Sequence, residues 1–230
     1  MKLKKKSGLI SAVIALSCAS IVSVGFASWV ISQGDAKTVD GSIVVDTVQT
    51  KAHTITVTPT TGTQICFTRP ETPSPAPTYS WLSETTSNYE NLVASFSVSV
   101  ANWDDTAANA KAKFSATLQS GTVSGENFTP DAANAGYNAA VTATYVAALP
   151  TPVVGDGTVA DGAWSTTVTV TFAWGAYFGG QNPYYFYNAH QASEIKTGTT
   201  TYAQDANTAL TALNDALAGI SYRLSLSFAA

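Results

Sequence analysis

Two histidines, His53 and His190, and two cysteines, Cys18 and Cys66, are the only imidazole and thiol groups in 230 residues. Neither histidine sits in a His-Glu-x-x-His array and no Cys-x-x-Cys pair occurs, so the spacing that holds zinc is missing. A metalloprotease lacks its ligands here. Gly121, Ser124 and Gly125 put the serine one place too late for a nucleophile elbow, and neither phosphate-cradling glycine pattern occurs. The adjacent acids Asp104 and Asp105 suit either a calcium ion shared with loop carbonyls or plain solvated surface. The expectation is a chain with no catalytic, cofactor-binding or metal-ligating residue, no cofactor and no enzymatic activity.

What remains for chemistry is aromatic. Phe172, Trp174, Tyr177, Phe178, Tyr184, Tyr185, Phe186 and Tyr187 fall within sixteen positions, interrupted by Gly179, Gly180, Asn182 and Pro183. Exposed Tyr and Trp give large contact area at small entropy cost, which suits sugar stacking or a subunit contact. The plainer reading is that Phe172 and Trp174 complete a core strand, while the Gly-Gly-x-Asn-Pro turn folds the tyrosines over one end of the fold. Tyr184, Tyr185 and Tyr187 form the candidate contact surface.

The start of the chain sets the compartment. Lys2, Lys4, Lys5 and Lys6 precede an uncharged apolar run over residues 9–27 that closes with Gly25, Phe26 and Ala27. This is a secretory signal pattern, with small residues at the −3 and −1 sites and cleavage expected between Ala27 and Ser28. An uncleaved anchor is the other reading, because residues 9–31 are long enough to span a bilayer. A lipobox at Cys18 and a pilin-type cut after Gly8 both fit poorly. The expected organisation is a signal peptide over residues 1–27 and a single secreted domain over 28–230.

Cleavage removes four of the 11 basic residues and none of the 15 acidic ones, leaving a net charge of −8. Such a chain repels phosphate backbones, and no Lys/Arg cluster survives to favour nucleic acid. Membrane contact is expected only through the signal segment before cleavage. Cys66 becomes the sole cysteine, so no internal disulfide can form; it is read as a small buried apolar residue or, alternatively, an intermolecular bridge.

The elements follow from period-two alternation. It is clearest at Trp164, Val168, Val170, Phe172 and Trp174, whose neighbours are Ser, Thr and Ala. Further strands are expected around Ile55 and Val57; Phe96, Val98 and Val100; Ala112, Phe114, Ala116 and Leu118; Val141, Ala143 and Tyr145; and Tyr222, Leu224, Leu226 and Phe228. Each has one apolar face, so two sheets must pack together. Charged residues are only 11 % of the chain, so this core must be covered mainly by neutral polar side chains. Asp156-Gly157 and Asp161-Gly162 mark tight turns. The four prolines of residues 69–77 cannot donate ladder hydrogen bonds and place a loop over 69–79. Ala206, Ala209 or Leu210, Leu213 and Leu217 recur at helical spacing behind Thr201, with Gly219 as terminator. The expected fold is a mainly β, jelly-roll-like antiparallel sandwich with one C-terminal helix before the last strand.

At its two ends the sequence resembles the TasA/camelysin family of Gram-positive secreted matrix proteins, whose precursors use a SipW-type signal peptidase. The resemblance lies in Lys4-Lys5-Lys6 and the apolar run, in Gly25-Phe26-Ala27-Ser28-Trp29-Val30, in Asp40-Gly41-Ser42-Ile43-Val44-Val45, and in the closing stretch from Ile220 to Ala229. It covers about a quarter of the chain. It implies a jelly-roll subunit of extracellular fibres, in biofilm matrix or surface layer, that polymerises by lending an N-terminal strand to the next copy. Trp29, Val30 and Ile31 are the candidate donor strand; the same residues can equally pack on their own domain. The metalloprotease label carried by some members does not transfer, for want of a histidine cluster.

The leading expectation is a secreted structural protein of the bacterial cell surface or biofilm, assembling into fibres. Its partners would be further copies of itself or other matrix proteins, and the signal peptidase during export. A carbohydrate- or cell-wall-binding module using Tyr184, Tyr185 and Tyr187 is the alternative, and an extracellular hydrolase ranks third.

Overall fold

The computed structural model describes residues 41–48, 53–60, 64–71, 77–82, 89–124, 127–142 and 144–229. The expected signal segment, its cleavage site at Ala27 and Ser28, and the candidate donor strand Trp29, Val30 and Ile31 lie outside the described residues. Twelve strands are described. They are β1 (Gly41–Val48), β2 (Ile55–Pro59), β3 (Gln64–Ile65), β4 (Val93–Ala101), β5 (Phe114–Ser124) and β6 (Asn127–Pro130). After these come β7 (Val153–Val154), β8 (Thr158–Ala160), β9 (Ala163–Thr171), β10 (Ile195–Thr197), β11 (Thr200–Thr201) and β12 (Ser221–Phe228).

They form two main sheets. One runs β3-β1-β12-β5-β6; the other runs β2-β4-β9, with β7 and β8 both pairing to β9. Alternation decides which side chains enter the layer between them. In β9, Trp164, Thr166, Val168 and Val170 are buried, and Phe172 and Trp174 continue the inward series past its end. In β12 the inward set is Tyr222, Leu224, Leu226 and Phe228. Aromatic contacts cross from sheet to sheet: Phe114 meets Trp164 edge-on at 5.3 Å, and Phe172 lies 4.8 Å from Tyr222. The fold is thus the mainly β sandwich that the pattern predicts. Among the described residues, all strand pairings are antiparallel except β1 with β12, which run parallel from Ile43 opposite Tyr222 to Val48 opposite Ser227.

The β8–β9 hairpin shows why turn chemistry is readable. Ala160 pairs with Ala163, so Asp161 (φ 51°) and Gly162 (φ 72°) form a two-residue connection. Both central residues have positive φ, the type I′ geometry that matches strand twist and selects Asp-Gly.

Four helices are described: α1 (Ala107–Lys113), α2 (Ala135–Thr142), α3 (Pro183–Asn188) and α4 (Tyr202–Leu217). The last is the expected one. Thr201 accepts from the Gln204 amide at 3.2 Å while Gln204 Oε1 accepts from the Thr201 amide at 2.9 Å, a complete capping box. Its Ala206, Ala209, Leu210, Leu213 and Leu217 are buried, and Gly219 (φ 82°) turns the chain into β12.

Two expected strands are corrected. Residues 141–142 end α2, and Tyr145 follows a turn. Three alternating residues are too few to separate strand from helix. The Ala-rich stretch from Ala135 is instead anchored by buried Tyr137, whose hydroxyl donates to Ala147 O at 2.9 Å. Ala112 likewise belongs to α1, which Thr106 caps by accepting from the Asn109 amide at 3.2 Å, so β5 starts only at Phe114. Among the described residues, no helix is long and apolar enough to cross a membrane.

Candidate functional site

The aromatic block forms one end of the sandwich. Beyond Trp174 the chain must turn sharply, and Gly175 permits it: a Cβ there would lie 2.0 Å from Thr144 O. A single 3-10 turn over Ala176–Phe178 follows, then Asn182 caps α3 by accepting from the Tyr184 amide at 2.9 Å, with Pro183 at the first helical position.

Asp205, on the first turn of α4, is the hub of this end. Its Oδ1 accepts from Tyr177 at 2.5 Å, and its Oδ2 accepts from Tyr187 at 2.8 Å and from Lys196 Nζ at 2.6 Å. The Lys196 ammonium also lies 4.0 Å from the Tyr177 ring centroid and 5.3 Å from that of Phe186. Burial pushes the Asp205 carboxyl upward, but the hydrogen bonds from Lys196, Tyr177 and Tyr187 outweigh it and hold the group below the ordinary carboxylate value. Tyr177 and Tyr187 are pushed well above the usual phenol range, first by burial and then by hydrogen bonding to Asp205. They stay protonated. A carboxylate with both oxygens occupied and two phenols that cannot ionise do not make an acid–base pair; they make a staple joining α3, β10, α4 and the 3-10 turn.

This settles where the three candidate tyrosines lie. Tyr187 is 0 % exposed and its hydroxyl is bonded to Asp205, so its place on a contact surface is corrected: it is core. Tyr184 and Tyr185 are half-buried on α3. Phe172, Trp174 and Phe178 are buried, as the inward alternation predicts.

A second polar group sits beneath. Glu90 Oε1 accepts from Trp174 Nε1 and from Asn182 Nδ2, the latter at 2.9 Å, and burial raises its carboxyl above the ordinary value. Because one oxygen takes both bonds, Glu90→Gln keeps them and removes the charge. A raised folded-state value means that the wild-type fold bears its penalty at pH above the unfolded value near 4.5. Glu90→Gln is therefore expected to raise the melting temperature at pH 7 by about 2 °C, with no gain below pH 4.5. Thermal scans of both proteins across this range check it.

The remaining sequence candidates are dispersed. Asp105 accepts from the Thr106 amide at 2.6 Å and from Asn109 Nδ2 at 2.8 Å, a helix-start role, and its carboxyl is lowered chiefly by the Asn109 bond. His53 packs against Phe228 at 5.0 Å; His190 stacks on Tyr202 at 3.8 Å and contacts Glu194 at 3.0 Å. Cys66 is buried and bridges to Asn91. Among the described residues, no group of three His, Cys, Asp or Glu is placed to hold a metal.

Sequence reasoning missed Lys196 and Asp205. Their signal was rarity: between Glu194 and Asp215 they are the only charged residues, in a segment flanked by the aromatic block and an apolar helix stripe.

Fold and site together define a β-sandwich whose aromatic end is fastened by a half-buried carboxylate. Compared with protein-family models, curated proteins and solved structures, the chain finds no match in any of the three.

Proposed function

We propose that this protein is a secreted, non-enzymatic structural protein of the bacterial cell surface or biofilm matrix, which assembles into fibres when one copy lends its N-terminal strand to the next. The observation that carries this reading is the sheet edge beside β1, where the short strand β3 lies. On its inner side β1 pairs with β12 over six residues, Ile43 to Val48. On its other side β1 pairs antiparallel with β3 at Gly41 and Ser42. Among the described residues β3, only two residues long, ends this sheet, and a sheet edge accepts an added strand. The apolar segment Trp29-Val30-Ile31, freed by signal cleavage, supplies one.

Two further features support the reading. Tyr177, Tyr187, Lys196 and Asp205 of the aromatic end are committed to internal hydrogen bonds, which suits a scaffold rather than a catalyst. Low charge and the signal-like pattern of residues 1–27 support a working protein outside the cell.

Secretion is tested by recovering the protein from culture medium and determining its N-terminal sequence and intact mass. A start at Ser28, or within a few residues of it, is expected. A start at Met1 in the membrane fraction would instead make the apolar run an anchor and remove the free donor strand.

A further inference from the structure

We propose that the groove between residues 78–81 and residues 191–193 is a binding site for a neutral polysaccharide, which stacks on Tyr79 and Trp81. The groove is open, has a volume of about 660 Å³, and is lined by Thr78, Tyr79, Ser80, Trp81, Gln191, Ala192 and Ser193. This site is separate from Tyr184, Tyr185 and Tyr187.

The aromatic wall is held in place from below. Asn188, fully buried at the end of α3, accepts from the Trp81 amide at 3.2 Å and the Leu82 amide at 3.0 Å, and donates to Leu82 O at 3.1 Å. Its own carbonyl accepts from the Tyr79 amide at 2.9 Å. Trp81 Nε1 donates to His190 O at 2.6 Å, which fixes the indole plane, and Leu82 anchors the segment in the core. A buried side chain committed to holding a surface segment preorganises what that segment displays, and preorganisation lowers the entropy cost of binding.

What is displayed is Tyr79, 38 % exposed, and half-buried Trp81, two residues apart on an extended segment. Gln191 Nε2 donates to the Tyr79 hydroxyl at 3.2 Å, leaving that phenol its own proton to donate. Ser80 and Ser193 add exposed hydroxyls. The aromatic faces match the C–H face of a pyranose, and the amide and hydroxyl groups match its neutral hydroxyls. Among the described residues no Asp, Glu, Lys, Arg or His lines the groove, and Glu194 stands beside it, accepting from the Gln191 backbone amide at 3.3 Å, an arrangement that favours a neutral polymer over an anionic one. An open trough of this size suits a chain that runs through it rather than an enclosed small molecule.

The test is native affinity electrophoresis of the full chain in gels containing hydroxyethylcellulose, dextran or polygalacturonate, with decaproline as a soluble competitor. Retardation by at least one of the two neutral glucans is expected, and none by polygalacturonate. Tyr79→Ala should weaken retardation about tenfold, Tyr79→Phe much less, and Trp81→Ala should abolish it. Tyr79 is exposed, so its alanine variant keeps the test valid where Trp81→Ala perturbs folding through its Tyr187 contact at 6.3 Å. The proposal is overturned if neither neutral glucan retards the protein, if polygalacturonate is preferred, if decaproline displaces the glucan, or if Tyr79→Ala binds as wild type does.

Discussion

Trp164→Ala is expected to lower the unfolding free energy by about 3–5 kcal/mol, the range for deleting a large aromatic from a packed core. Trp164 is fully buried on central strand β9, opposite Val100, and its ring meets Phe114 at 5.3 Å and Phe228 at 6.4 Å, both from the facing sheet. Removing it leaves a cavity at the contact between the layers. The indole N–H also donates to Asp156 O at 3.1 Å, which orients the loop leading into β8. Trp164→Phe, which keeps a ring and loses this bond, should cost less than the alanine variant. In urea the midpoint should fall with little change in slope, since the surface exposed on unfolding is nearly the same. A shift of under about 1 kcal/mol would mean that this ring does not join the two sheets.

The second large effect is at Asp205. Asp205→Asn removes the charge that pairs with Lys196 while leaving the lysine mostly enclosed; the two side chains are 14 % and 21 % exposed. Breaking a buried pair from one side costs about 3–5 kcal/mol, and partial solvent access here lowers the expectation to about 2–3 kcal/mol. The pH dependence gives the effect a signature. Asp205 titrates lower in the fold than its ordinary value near 3.8, so its contribution is complete above that value and is lost as pH falls through the folded-state value beneath it. The wild-type advantage over Asp205→Asn should be full at pH 7 and shrink in strong acid. A constant difference at every pH would assign the loss to shape rather than charge.

The fold was legible where side chains alternate over many positions. Alternation from Trp164 to Trp174 settles an inward face, carried by β9 as far as Thr171 and by Phe172 and Trp174 beyond it, and Leu210, Leu213 and Leu217 behind Thr201 settle a helix. It was illegible where the run is short: Val141, Ala143 and Tyr145 fit either period, and the decision came from Tyr137, whose burial is a tertiary fact. The parallel pairing of β1 with β12 joins the two ends of the described chain, and no local pattern encodes so distant a partner. At the aromatic end, composition marked the right region but gave Tyr187 the wrong face. Its ring turns inward because Asp205, eighteen residues later, offers a half-buried acceptor. Tyr79 and Trp81 drew no notice beside the proline loop, since their display depends on Asn188, more than a hundred residues away.

The central claim is that copies join through the N-terminal strand. Sedimentation velocity over a range of concentrations, on secreted protein beginning at Ser28 and on the same chain without residues 28–34, tests it most directly. Concentration-dependent large species from the first protein and a monomer from the second are the expected result. A monomer in both, or assemblies of equal size in both, would contradict strand donation.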